Sequence, residues 1–275
     1  MKKINISRID LFVLSFLALI SAATIIGCSK VPITNRKQVV LIDEKDLIAM
    51  STKSYTEFLT KNPALPNSDT RAVMVKKVGS KIQAAVEKFL SDKKQSDRLA
   101  GYKWEFNLVT DDKTVNAWCM PGGKVVVYTG LLPVTLTEAG LAVVMGHEIA
   151  HAVARHGNER MSKSMMSQYG KSAIGSMVSS QNEAVQNVFL QSYGLGSTLV
   201  LLKYSRTHES EADKLGLVFM AMAGYNPEEA ITFWERMAKI GGGGNMQMLS
   251  THPSDETRIA DLKKFLPKAK AYYKP

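Results

Sequence analysis

The sequence predicts an α+β fold, mainly helical, with a small three- to four-stranded sheet packed on one strongly apolar helix. Three observations predict it. Apolar residues recur at three- and four-residue intervals before residue 91 and again from residue 135 onward. Between residues 104 and 129 the period drops to two. The composition, 45% hydrophobic and 22% charged over 275 residues with two cysteines, supplies one sizeable core and excludes a disordered chain or a disulfide scaffold.

The first 27 residues read as an export signal rather than as part of the fold. Lys2, Lys3 and Arg8 form a positive region, Leu11 to Ile20 a short apolar run, and Ser21, Ala22 and Ala23 lead toward a small-residue processing site. A membrane-spanning helix needs about 20 continuous apolar residues, more than this run offers. The following Ile25-Ile26-Gly27-Cys28 resembles the lipobox of bacterial lipoproteins, which implies cleavage before Cys28 and a lipid on its sulfur. Ser29, rather than Asp, implies by the same resemblance an exported chain anchored in the outer membrane and facing the periplasm. Without residues 1–27 the chain keeps 32 basic against 24 acidic residues, a charge of +8. It has no arginine-rich run with interleaved aromatics, so nucleic acid is not an expected partner. With Cys28 acylated, Cys119 has no partner for a disulfide, and its apolar neighbours make it a small buried hydrophobe.

Residues 28–42 are expected to be a tether and extended lead-in, and residues 43–275 one catalytic domain. A helix from about Asp43 to Leu59 turns Leu47, Met50 and Phe58 inward and is stopped by Pro63 and Pro66. A second, about Asp69 to Leu90, carries Val78, Ile82, Val86 and Phe89 on one face. Trp104, Phe106 and Leu108 alternate along a strand, and Val115 to Met120 and Lys124 to Thr129 form two more around the turn Pro121-Gly122-Gly123. Thr135-Leu136-Thr137-Glu138 has capping-box spacing, and the apolar helix it opens runs to Arg155-His156-Gly157. Residues 158–203 read as one or two surface helices with mobile connections, a candidate lid. Further helices are expected from about Thr207 to Gly224, from Asn226, and from Ser254 to about Phe265, with Gly241 to Gly244 as a joint.

The chemistry concentrates in His147-Glu148-Ile149-Ala150-His151. On a helix, residues four apart share a face, so both imidazoles can grip one tetrahedral ion. Glu148 lies beside them, where its carboxylate can reach a water at the metal. Glu209 and Asp213, also four apart, offer a third ligand and a carboxylate to fix a ligand histidine's outer N–H. His156 is roughly 140° around the helix from His151 and reads as a helix-end residue, while His208 points away from Glu209.

Four blocks in order identify a resemblance. These are Asn116-Ala117 with Pro121-Gly122-Gly123 and Thr129-Gly130-Leu131-Leu132, then His147 to His156, then Tyr204-Ser205-Arg206 with Glu209 to Asp213, and last Leu249 to Pro253 with Arg258-Ile259. The chain resembles metallopeptidase family 48, the HtpX and CAAX-protease type of gluzincin, and within it exported bacterial lipoproteins related to the mitochondrial Oma-type protease. Trp118-Cys119-Met120 stands where such proteins often have other apolar residues. The resemblance implies a gluzincin-like core with its sheet on the zinc-binding helix, and one Zn²⁺ per chain on His147, His151 and Glu209. It also implies Glu148 as base and Asp213 behind the ligands. His252 is implied as a removable fourth ligand that closes the site. Arg258 either steadies the anionic intermediate or pairs with a carboxylate.

The expected activity is a zinc-dependent endopeptidase acting on unfolded or misassembled envelope polypeptides. Its substrate would lie extended along the strand edge at Asn116, Ala117, Pro121, Gly122 and Gly123. The competing expectation is a noncatalytic zinc-containing envelope chaperone or assembly lipoprotein, against which Glu148 argues, because a structural site needs no base. An integral membrane protease is excluded for lack of spanning segments.

Overall fold

The computed structural model describes residues 28–169, 182–193, 204–240, 248, 252 and 256–274. The export signal expected at residues 1–27 lies outside them, as do Gly241 to Gly244 and Ser254. Residues 28–42, expected as an extended lead-in, form an antiparallel ribbon of β1 (Cys28–Lys30) and β2 (Lys37–Val39), with Cys28 opposite Val39. The connecting loop takes left-handed backbone at Ile33 and Asn35, and Val31 is fully buried in the main core.

Two capped helices follow. In α1 (Glu44–Lys61) the Asp43 side chain accepts from the Lys45 N–H at 2.8 Å, and in α2 (Thr70–Asp92) Asp69 does the same for Arg71. Along α2 the buried Val75, Val78, Ile82, Val86 and Phe89 repeat at three and four residues, as the sequence pattern predicts.

The sheet contains β3 (Glu105–Val109), β4 (Ala117–Met120) and β5 (Lys124–Tyr128) in the order β3-β5-β4, parallel between β3 and β5 and antiparallel between β4 and β5. Its pleat sorts the core into two parts. Ala117, Cys119, Val125 and Val127 point to one cluster, while Trp118, Met120 and Val126 point to another. Both faces are therefore covered, which is why the four residues of β4 are all buried. The outer side of β3 is closed by an Ala64–Val109 bridge, leaving β4 as the other edge. Gly122 and Gly123 turn the β4–β5 reversal with φ of 85° and 78°, and a side chain on Gly123 would strike the Trp104 ring.

A one-turn helix, α3 (Leu132–Thr135), precedes the central α4 (Glu138–Val153). The capping-box spacing at Thr135 misplaces the start by two residues, because Leu136 (φ 63°) breaks the chain and Thr137 caps α4 through the Gly140 N–H at 3.0 Å. From Gly140 to Val153 every residue of α4 is buried, so it is wrapped on all sides rather than on one face. It ends at Val153, short of the expected Gly157, because Arg155 adopts φ 60° and redirects the chain into α5 (His156–Tyr169). The first seven residues of α5 are buried, so this part of residues 158–203 is interior where a surface helix was expected. The remaining helices are α6 (Glu183–Ser192), α7 (Arg206–Met222), α8 (Glu229–Ile240) and α9 (Glu256–Lys270). Among the described residues no single helix is long and apolar enough to cross a membrane.

Candidate metal centre

The centre lies where α4 and α7 cross. Ser205 starts α7 by accepting from the His208 N–H at 3.2 Å, which places Glu209 in its first turn. Two glycines set how closely the helices approach. A side chain on Gly146 would come within 3.1 Å of the Gly216 carbonyl, and one on Gly216 within 3.0 Å of the His147 backbone nitrogen. Backbone thus meets backbone at the point from which His147 and Glu209 project. The His252 N–H donates to the Met248 carbonyl (2.8 Å), and the Met248 N–H to the Val115 carbonyl (3.3 Å) just before β4.

His147, His151, Glu209 and His252, all buried, bring one ligand atom each to within 4.8 Å of one another. His147 Nε2 is 3.0 Å from His151 Nε2, 3.2 Å from His252 Nδ1 and 3.4 Å from Glu209 Oε2. Glu209 Oε1 is 3.4 Å from His151 Nε2 and 3.0 Å from His252 Nδ1. A tetrahedral ion with ligands at 2.0–2.1 Å separates them by about 3.3–3.4 Å, close to the edges seen here. Lone pairs of three imidazoles converge with a carboxylate, and Glu209 Oε2 and Glu148 Oε1 are buried without a hydrogen-bond partner. The donor set therefore fits a metal cation: imidazole nitrogens and a carboxylate, the ligand types of a tetrahedral site, converge in a buried place at tetrahedral spacing.

The surroundings hold these groups in register. Asp213 Oδ1 lies 2.9 Å from His147 Nδ1, so its carboxylate takes the outer N–H and leaves the Nε2 lone pair facing the site. Arg258 clasps Asp213 in a two-point bond at 2.8 and 2.7 Å, reaches Glu209 Oε2 at 3.3 Å, and lies 3.4 Å over the Trp234 ring. Burial alone pushes the Asp213 carboxyl up, but Arg258 and His147 hold it below the usual carboxylate range. Burial also works against charge on His147, yet Asp213 and Glu209 raise it to about 9. Burial dominates at the other two groups. It pushes the Glu148 carboxyl up, and it keeps His151 far below the ordinary histidine value and thus neutral. Glu148 Oε1 faces His252 Nε2 at 3.5 Å.

The structure brings together all the residues expected at the site, with Arg258 on the carboxylates. Asn116 leads into β4 and Ala117 opens it, whereas Pro121, Gly122 and Gly123, expected along the substrate edge, form a buried turn packed on Ile48 and Trp104 that no extended peptide can pair with. Two readings change. His156 is no mere helix end, because the Arg155 reversal brings its Nδ1 to 3.0 Å from His151 Nδ1. His208, expected to point away from Glu209, stacks on His156 at 4.6 Å and meets Glu159 at 3.1 Å. The residues that sequence reasoning missed are Tyr204, stacked on His151 at 3.9 Å, Trp234, and the Gly146–Gly216 pair. Tyr204 heads the Tyr204-Ser205-Arg206 block, which was a usable signal.

Comparisons with known proteins bear on the same residues. Residues 77–266 match Peptidase family M48. The chain is 31% identical over 264 residues to the mitochondrial metalloendopeptidase OMA1 of Saccharomyces cerevisiae, covering 90% of this chain and 74% of that protein. It is 42% identical over 164 residues to the protein of the same name from Arabidopsis thaliana, covering 59% of this chain and 32% of that one. It is 27% identical over 169 residues to the beta-barrel assembly-enhancing protease of Escherichia coli (strain K12), covering 58% and 34%. Relatives from fission yeast, cattle and human are also named mitochondrial. These relatives are mitochondrial by name, a finding that overturns the exported, lipid-anchored, outer-membrane placement expected from residues 1–29. That placement rested on the basic-then-apolar segment and the Ile25-Ile26-Gly27-Cys28 run alone, a local pattern with no part in the peptidase fold. The family match covers the HExxH helix, the helix of Glu209 and the His252 and Arg258 region alike, and the chain belongs to Peptidase family M48, whose members are metal-dependent.

Proposed function

We propose that this chain is a zinc-dependent endopeptidase that hydrolyses unfolded or misassembled proteins, with residues 43–275 as its peptidase domain. His147, His151 and Glu209 would hold the zinc, which when bound would supply Lewis-acid polarisation of a carbonyl and acidify a water toward neutrality. Glu148, beside the three ligands, would be the base that accepts a proton from the attacking water and returns it to the leaving amine. Its burial favours this, since desolvation raises the carboxyl from its ordinary range and so strengthens it as a base. Asp213 fixes the His147 tautomer, and Arg258 acts as a positioning residue that neutralises Asp213 and steadies Glu209.

His252 is read as a latch. It stands among the ligands and against Glu148, so it excludes the attacking water until its segment moves. That segment is also bonded to the Val115 carbonyl, at the start of the edge strand. Releasing it frees a backbone acceptor beside Asn116 and Ala117 for an extended peptide. Recognition through backbone suits substrates selected for being unfolded, and the relative named for beta-barrel assembly supports misassembled membrane proteins as one class of them.

The observation that carries the reading is Glu148, a buried carboxylate at the metal site whose Oε1 has no hydrogen-bond partner. A chaperone with a structural zinc has no use for it. The test is digestion of denatured casein by zinc-loaded protein. Wild type is expected to cleave it and Glu148→Gln to retain zinc while losing activity by about 10²–10⁴-fold. Equal activity in both proteins overturns the assignment of the base.

A further inference from the structure

Behind His151, on the side away from the metal site, a chain of hydrogen bonds runs out to the N-terminal ribbon. His151 Nδ1 meets His156 Nδ1 at 3.0 Å, His156 Nε2 meets Glu211 Oε2 at 3.1 Å, and Glu211 receives Arg36 through Nε at 3.0 Å and Nη2 at 2.9 Å. Thr34 Oγ1 donates to the other Glu211 oxygen at 2.6 Å. His156 and Glu211 are buried, and Arg36 is about a quarter exposed, with a side-chain accessibility of 27%.

The protons in this chain have one consistent arrangement. Glu211 is a carboxylate held by a guanidinium, so the nitrogen facing it, His156 Nε2, carries the proton. Neutral His156 then offers a bare Nδ1, and the proton in the 3.0 Å gap belongs to His151 Nδ1. That leaves the His151 Nε2 lone pair facing the metal site, the tautomer a ligand needs. The reverse arrangement sets a lone pair of His156 against a carboxylate and a proton of His151 into the site. We propose that His156, Glu211 and Arg36 form a positioning relay for His151, so that the ribbon of residues 28–39 fixes one ligand of the metal from outside the catalytic helices.

The relay does for His151 what Asp213 does for His147, with an extra imidazole because the carboxylate is one ring further away. Its local cause is the left-handed backbone at Arg155, which folds the chain under His151, with the Arg155 side chain held 3.3 Å from Glu44. Glu211 follows Glu209 by two on α7, roughly 200° around the helix, so α7 presents a ligand on one side and the relay's anchor on another.

This inference rests on zinc at His147, His151 and Glu209, and the experiment separates the two. Zinc affinity is measured by chelator competition on full-length protein, with chemical unfolding of the metal-free form as control. For His156→Leu, which keeps the volume and removes the nitrogens, affinity is expected to fall about 10–100-fold. Arg36→Gln, at the partly exposed end, is expected to lose roughly tenfold and Arg36→Lys to recover most of it. The double variant His156→Leu with Arg36→Gln is expected to bind no worse than His156→Leu alone, because the second change acts only through the first. Additive losses, or unchanged affinity in both single variants, overturn the relay while leaving the zinc site standing. Should His156→Leu fail to fold, the Arg36→Gln and Arg36→Lys pair decides alone, and unchanged affinity there overturns it. Wild type that binds no zinc overturns the metal reading and the relay with it.

Discussion

Two clusters of histidines and carboxylates lie side by side in this protein, one on each side of His151, and they are satisfied in opposite ways. The outer cluster joins His156, His208, Glu159 and Glu211, and the chain supplies its cations: Arg36 bonds both carboxylates and Lys163 bonds Glu159 at 2.6 Å. The inner cluster joins His147, His151, His252, Glu148, Glu209 and Asp213. Among the described residues a single guanidinium, Arg258, serves it, and that group is occupied with Asp213 and Glu209. Against the pull of burial, Asp213 and Glu209 also raise His147 to about 9, so in the metal-free protein that ring carries the cluster's other positive charge, the place a divalent ion would take. Residue type and burial are the same in both clusters, so neither marks a metal site by itself. What differs is where the lone pairs point and whether the chain neutralises them.

The sharpest way to break this contrast is to remove one histidine from each cluster. His147→Ala is expected to abolish zinc binding and peptidase activity together, whereas His208→Ala is expected to keep about one zinc per chain. Metal analysis of the two purified proteins decides it, and zinc retained in the first variant removes His147 from the ligand set. His252 probes the inner cluster from outside α4 and α7. His252→Ala should keep its zinc and digest denatured casein faster than wild type if the residue is a latch. A loss of roughly 10²-fold would instead make it an oxyanion donor. The next effect is smaller and structural. Gly216→Ala places a methyl 3.0 Å from the His147 backbone nitrogen, where only helix separation gives relief. A cost of about 1–3 kcal/mol in denaturant unfolding, with weaker zinc binding, is expected. Gly224→Ala, beyond the end of α7 at φ 83°, should cost stability through strain but leave zinc affinity unchanged.

The inner cluster was legible in the sequence because its geometry is local. His147 and His151 share a helix face by spacing alone, and so do Glu209 and Asp213. His252 and Arg258 came only from the family resemblance, since nothing in their spacing points to α4. The outer cluster was illegible for a definite reason. Placing His156 by helical periodicity assumes that the helix continues, and the left-handed Arg155 ends it. Arg36 was hidden because residues 28–42 look like a tether, with two short strands that carry little apolar signal. The glycines at the helix crossing were invisible too, because a glycine inside an apolar helix reads as weakness until the facing glycine is known. The sheet, by contrast, followed from alternation, and only its parallel β3–β5 pairing needed the structure.

The last effect concerns pH and separates the clusters by what unloads them. Burial is the largest single influence on Glu159 and pushes its carboxyl up, but the bonds from His208, Arg36 and Lys163 outweigh it and hold it below the ordinary value of 4.5. A group depressed in the folded state binds its proton more readily when unfolded. Its contribution to stability is thus complete above pH 4.5 and lost as pH falls from there toward the folded value. Glu159→Gln mimics the protonated form at every pH. At pH 7 the variant is expected to be less stable than wild type by about 1.5–3 kcal/mol, the scale of a lost charged hydrogen bond. The gap should narrow once the pH falls below 4.5, because wild type then approaches what the variant already is. Both proteins are measured metal-free by chemical unfolding, so that ligand protonation and zinc release do not enter. A gap that stays constant from pH 7 to pH 3 would show that Glu159 is not held ionised by its partners. The outer cluster would then owe its stability to packing, and the contrast with the inner one would rest on the metal alone.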